Sequence, residues 1–144
     1  MRKDSRLSRM LHVLLHMARH DHLFTSEQIA EMLQTNPVVV RRTLGGLKKA
    51  GYVTAKKGPS GGWSIACDLE KTSLLDIYNA VGNPPLFAMG YDHSDPVCAV
   101  ERVINTALED TLSQAETLIR NKLSSISLAH LLKDFNERAQ ADVL

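Results

Sequence analysis

The side chains with the most chemistry to offer form one run. Arg41, Arg42, Lys48, Lys49, Lys56 and Lys57 fall between Asn36 and Trp63, and no Asp or Glu occurs from Met32 to Cys67. Cations without neighbouring carboxylates can lie along a polyanion without repulsion, so the chemistry on offer is phosphate binding rather than bond making. Gly58, Pro59, Ser60, Gly61 and Gly62 follow the last two lysines. Glycines let backbone approach a phosphate or enter a narrow groove. A Gly-rich basic loop also invites a nucleotide-binding reading. The spacing G-x-x-x-x-G-K-[ST] is absent and no helix is predicted directly after the loop, so that reading falls away.

Elsewhere the reactive residue types are sparse. His12, His16 and His20 stand at i, i+4 and i+8. Two histidines at that spacing can hold a metal, but beyond Asp21 no further donor stands at ligand spacing. They read as the solvated face of a helix. Cys67 and Cys98 are the only cysteines. Two thiols make no disulfide framework, which suits a cytoplasmic protein. No nucleophile elbow, metal-ligand constellation or phosphate loop is present, which argues against an enzyme.

Several predicted elements position the basic run. The first helix covers about Ser5–Arg19, with Leu7, Leu11, Leu14, Leu15 and Ala18 on its apolar face. Arg2, Lys3 and Arg6 are candidate phosphate contacts at its start. The second covers about Thr25–Gln34, opened by the capping box of Thr25 and Gln28. A short link leads to Asn36, a good N-cap, and Pro37, which suits the first helical position. The third helix then runs to about Ala50, ahead of Gly51. Val40, Leu44 and Leu47 turn inward; Val38, Val39, Arg41, Arg42 and Lys48 are left for the outer faces. Two short helices with a tight link, the second exposed and basic, make a helix-turn-helix. Tyr52–Ala55 and Trp63–Ala66 are β-prone and flank the Gly-rich loop, which predicts a hairpin wing.

Downstream, Ser73–Val81 reads as a fourth helix with Ser73 and Asp76 as its capping pair. Gly82-Asn83-Pro84-Pro85 ends it. Leu86–Ser94 is irregular, carries Phe87, Met89 and Tyr91, and is the candidate effector loop. Asp95 is expected to cap, and Pro96 to start, a helix reaching about Ser124. Val97, Val100, Ile104, Leu108, Leu112, Ala115, Leu118 and Leu123 form its apolar stripe. So long a helix exceeds what this small core covers, and pairing with a second copy is the natural burial. A last helix starts near Ser127, its apolar face set by Leu128, Leu131, Leu132 and Phe135. It is expected to pack on the winged domain or on the partner.

The totals fit this layout. The chain has 144 residues, 44% of them hydrophobic, which suits a packed core. Its net charge of +1 hides a division. Residues 1–67 hold 11 basic and 4 acidic side chains, a net +7; residues 68–144 hold 6 and 12, a net −6. The anionic partner is expected to meet the front half. No apolar run approaches the ~20 residues that span a bilayer, and no signal peptide is read at the N-terminus.

Taken in order, Asn36-Pro37-Val38-Val39-Val40-Arg41-Arg42, Leu47-Lys48-Lys49-Ala50-Gly51, Lys57-Gly58-Pro59-Ser60-Gly61-Gly62, Ser73–Val81 and Asp95-Pro96-Val97-Cys98 resemble the Rrf-two family of bacterial winged-helix transcriptional regulators. The resemblance covers nearly the full length. It implies a helix from Asn36 in a major groove, the Lys57–Gly62 wing in an adjacent minor groove, and a homodimer. Cluster-binding members place three cysteines before and at the start of the long helix. This chain has one there, Cys98, and an iron–sulfur cluster needs about four ligands. The branch without a cluster is the nearer likeness, and no cofactor is expected.

The fold expected is mainly α with a small β-hairpin wing: a winged helix-turn-helix and a long dimerisation helix. Residues 1–82 would form the DNA-binding domain, 83–95 a linker and candidate effector loop, and 96–144 the dimerisation and C-terminal helices. Bases of double-stranded DNA would be read by Asn36, Val38, Val39, Arg41 and Arg42. The backbone would be held by Arg2, Lys3, Lys48, Lys49, Lys56, Lys57, Gly58, Pro59, Ser60 and Gly61. The protein would be a cytoplasmic repressor on an inverted repeat, not a membrane protein. Its effector would be a small molecule, an oxidant or nothing at all. Cys98, at about the third position of the long helix, is the candidate redox sensor, because free N–H groups and the helix dipole favour a thiolate there. The rival reading is a winged-helix module that binds protein and never reads bases; binding to random duplex, with its salt dependence, separates the two.

Overall fold

The computed structural model describes residues 3–93 and 95–143, the last three by backbone alone. Arg2, one of the expected phosphate contacts, lies outside the described residues. The elements run α1 (Arg6–Ala18), α2 (Ser26–Leu33), α3 (Pro37–Lys49), β1 (Val53–Lys56), β2 (Gly62–Ile65), α4 (Leu74–Ala80), α5 (Ala99–Ser124) and α6 (Leu128–Val143). The fold is therefore mainly helical with one antiparallel hairpin. Two compact units divide the chain: residues up to Pro84 together with those from Ser124 onward, and Pro85–Leu123.

The first unit holds the winged helix. Its core is built from Met10, Val13 and Leu14 of α1, Ile29 of α2, Val40, Leu44 and Leu47 of α3, Val53, Ile77 and Leu128. The buried face of α1 is Met10, Val13, Leu14 and Met17. Of the face expected from sequence, Leu7, Leu11, Leu15 and Ala18 are only half-buried. Apolar residues cover more than half of this helix's circumference, so periodicity alone cannot set its phase. Packing chooses the Met-Val-Met face.

Local signals set the next two helices. Thr25 Oγ1 accepts from the Gln28 amide at 3.1 Å, and Gln28 Oε1 accepts from the Thr25 amide at 2.9 Å. Gln34 ends α2 in the left-handed region, φ 55°. Asn36 Oδ1 then accepts from the Val39 amide at 3.0 Å, with Pro37 at the first helical position. Gly46 sits where α3 meets α4: a Cβ there would lie 2.6 Å from the Ala80 carbonyl oxygen. Gly45 faces open space, and nothing in the structure explains it. The hairpin pairs Val53 with Ile65, Thr54 with Ser64, Ala55 with Trp63 and Lys56 with Gly62.

The chain from Ser124 returns to this unit. The Leu74 amide donates to Ile126 O at 2.9 Å, the Leu128 amide to Thr72 O at 2.9 Å, and the Ala129 amide to Leu69 O at 3.0 Å. Leu128 is fully buried, and the Arg19 guanidinium lies 4.4 Å over the Phe135 ring. The stretch 96–144, read from sequence as one segment, is thus shared between the two units. Distant hydrogen bonds decide this, and local patterning does not carry them.

In the second unit α5 begins at Ala99, three residues later than expected. Asp95 and Pro96 precede the helix rather than cap and start it. The Arg102 guanidinium donates to Val97 O at 2.8 Å and to Pro96 O at 3.3 Å, so a side chain takes carbonyls that an earlier helical turn would have used. Cys98 is consequently not the third helical residue. It stands immediately before α5, its carbonyl accepting from the Arg102 amide at 3.0 Å. Of the expected stripe, Val97, Val100, Ile104 and Leu118 are exposed, and Leu108, Leu112, Ala115 and Leu123 half-buried.

Candidate nucleic-acid interface

The outer face of α3 follows from its inner one. With Val40, Leu44 and Leu47 packed inward, Val38, Arg41, Arg42, Lys48 and Lys49 are left exposed. Val38 keeps 55% of its surface open. Asn36 is exposed, but its Oδ1 is engaged in the cap, which leaves its amide nitrogen to donate. Val39 is half-buried and lines a small gap with Arg9 and Met10 of α1 and Thr43.

Beside this face stands the wing. Lys56, Lys57, Gly58, Pro59 and Ser60 are exposed at its tip. The Gly61 amide donates to Gly58 O at 2.9 Å, and Gly58 has φ +104°. A Cβ on Gly61 would fall 2.0 Å from the Lys56 carbonyl oxygen. The turn is therefore tight enough to require glycine. Between wing and α3 lies an open cleft of about 580 Å³, walled by Arg41, Lys48, Lys56, Lys57 and Trp63. Its one carboxylate, among the described residues, is Glu27, whose Oε1 lies 3.7 Å from Arg41 Nη1. Both groups are more than half exposed, so the pair is weak and Arg41 is available.

Near the start of the chain, Lys3 is exposed. Arg6 is engaged within the protein: it pairs with Asp4 at 2.7 Å and donates to Val81 O at 3.1 Å. The Arg6 hydrogen bond holds the Asp4 carboxyl below its ordinary value. Cys98 is exposed. Cys67 is half-buried, and burial pushes its thiol up. The structure thus brings Arg41, Lys48, Lys56 and Lys57 to one cleft, with Arg42 and Lys49 exposed on the same helix. Sequence reasoning missed Glu27, Ser26 and Trp63 as parts of that cleft. Trp63, directly after the glycine pair, was the visible signal.

Two short helices linked by a tight turn, with a hairpin alongside, define a winged helix-turn-helix protein. The Rrf2 (Rrf-two) family model, described as an iron-dependent transcriptional regulator, matches residues 4–134, and the chain belongs to this family. The chain is 37% identical over 130 residues to the provisionally named HTH-type transcriptional regulator YwnA of Bacillus subtilis, covering 90% of this chain and 96% of the relative. Its fold matches the crystal structure of a provisionally assigned transcriptional regulator from Lactobacillus plantarum, with TM-score 0.76 and 25% identity, covering 97% and 99% of the two chains. It also matches T. potens IscR, with TM-score 0.70 and 20% identity, covering 96% and 90%. The protein is a transcriptional regulator.

The family's description raises the question of iron. Among the described residues no three His, Cys, Asp or Glu side chains gather as a metal site. Among the described residues the Cys and His side chains near the start of α5 are Cys98 and His93, and His93 Nδ1 is already 2.6 Å from Glu101 Oε1. The donors present do not fit an iron–sulfur cluster.

Proposed function

We propose that the protein is a sequence-specific repressor that binds an inverted-repeat DNA operator as a homodimer, in the cytoplasm and without an iron–sulfur cluster. The observation that carries this is the cleft between α3 and the wing, where Arg41, Lys48, Lys56 and Lys57 face one space. In this reading Val38, Arg41 and Arg42, with the free amide of Asn36 and the edge of Val39, meet base edges. Lys3, Lys48, Lys49, Lys56 and Lys57 hold phosphates, and the tip from Gly58 to Gly61 enters the neighbouring minor groove. An Arg on guanine discriminates by about 1–3 kcal/mol, whereas a Lys on phosphate adds affinity to every sequence. The homodimer reading is supported by Val100, Val103, Ile104 and Leu118, which one α5 leaves exposed. Cys98, exposed just before α5, is where an oxidant or electrophile would act. A small-molecule effector remains the alternative input.

Selection of binding sites from random duplexes tests the reading. Wild type is expected to recover an inverted repeat, Arg41→Ala a relaxed version of it, and Lys57→Ala the same repeat at lower affinity. Identical preferences for Arg41→Ala and wild type would remove Arg41 from base reading. No salt-dependent duplex binding by wild type would favour a protein-binding module instead. Sensing through Cys98 is expected to appear as an oxidant-dependent change in operator affinity that Cys98→Ser abolishes.

A further inference from the structure

We propose that Trp63 is a positioning residue that sets the spacing between wing and recognition helix by latching onto Ser26. This deepens the DNA-reading proposal above and rests on it. Trp63 opens onto three partners. Within the wing it pairs with Ala55. On the other edge of β2 its amide donates to Phe24 O at 2.8 Å, and the Phe24 amide donates to Trp63 O at 3.1 Å. Its indole Nε1–H donates to Ser26 Oγ at 3.0 Å. Ser26 is the first residue of α2 and only 8% exposed.

The approach is close by construction. Gly62 lies against the same strand: a Cβ there would come within 2.7 Å of the Phe24 carbonyl oxygen, and its φ is +153°. Glycine thus lets β2 come near enough to Phe24 for Trp63 to reach Ser26. Trp63 and Ser26 both line the cleft that Arg41 and Lys48 of α3 share with Lys56 and Lys57 of the wing. A two-stranded hairpin alone is marginal in water. The wing therefore needs a tether to hold its lysines at a fixed distance from α3. Holding that distance before DNA arrives lowers the ordering cost of binding.

The salt dependence of duplex binding distinguishes this role from a merely structural one. Trp63→Phe keeps a ring but loses the donor; Ser26→Ala keeps the tryptophan but loses the acceptor. Each is expected to lower affinity about threefold to tenfold, the reach of one neutral hydrogen bond. Each is also expected to reduce the slope of log K against log salt by about 1, as a wing lysine loses its phosphate. In a Lys56→Ala/Lys57→Ala background the same substitutions should change affinity less than twofold. Lost affinity with an unchanged slope, fully additive with the lysine changes, would overturn the latch. So would unchanged affinity in Ser26→Ala, the variant that alters neither ring nor strand. If wild type itself shows no salt-dependent duplex binding, the DNA reading fails, and the latch with it.

Discussion

At the scale of single residues, the clearest electrostatic feature is the His93–Glu101 pair. The Glu101 hydrogen bond raises the His93 imidazole above its ordinary 6.5, with the carboxylate's charge adding to the effect. A raised folded-state value means that the pair stabilises most fully below pH 6.5 and stops contributing as pH rises through the raised value. Titration of the His93 ring by NMR is expected to show the raised value in wild type and a return towards 6.5 in Glu101→Gln. His16 runs the other way. Burial first, then His12, lowers it, so its contribution is present above 6.5 and is lost as pH falls through the depressed value. Neither shift was legible in sequence: Glu101 stands eight positions after His93, outside any helical spacing, and the burial of His16 is set by packing. The cap residues Asn36, Thr25 and Ser73 were legible, since each acts on a neighbour three positions away.

At the scale of elements, α3 carries two adjacent glycines with opposite surroundings. Gly45→Ala adds a methyl in open space and gains helix propensity, so stability is expected to rise by about 0.5–1 kcal/mol. Gly46→Ala gains the same propensity but drives a carbon to 2.6 Å from the Ala80 carbonyl oxygen. A net loss of about 1–3 kcal/mol is expected. Urea unfolding of the two variants decides both. A helix-period pattern cannot tell the two glycines apart, because their difference lies in α4, more than thirty positions downstream. The same reason explains the phase of α1 and the start of α5. In each the local pattern allowed two answers, and distant side chains or Arg102 selected one. The wing was legible as an element, from its lysines and glycines. Its attachment to Ser26 was not, since the bond spans 37 positions.

At the scale of the whole molecule, the apolar surface of α5 is the main unfinished business of a single chain. Leu118 is 72% exposed and Ile104 51%. Ile104→Glu and Leu118→Glu are expected to keep the far-UV CD of wild type but to sediment as monomers. Their affinity for a two-half-site operator should fall about a hundredfold or more, because two linked half-sites become two separate ones. The paired charges, a basic front half and an acidic back half, were legible and match the cleft's place in the first unit. The return of the chain from Ser124 was not. That return makes the first unit discontinuous in sequence, with the second unit inserted between its two parts. A chain cut at Tyr91 by chymotrypsin would therefore come apart on a denaturing gel yet travel as one particle in its native state. Residues before the nick would stay married to α6 through Leu128 and the Thr72 and Leu74 backbone bonds. Severing the covalent thread would free one end of α5 while the winged fold stays whole.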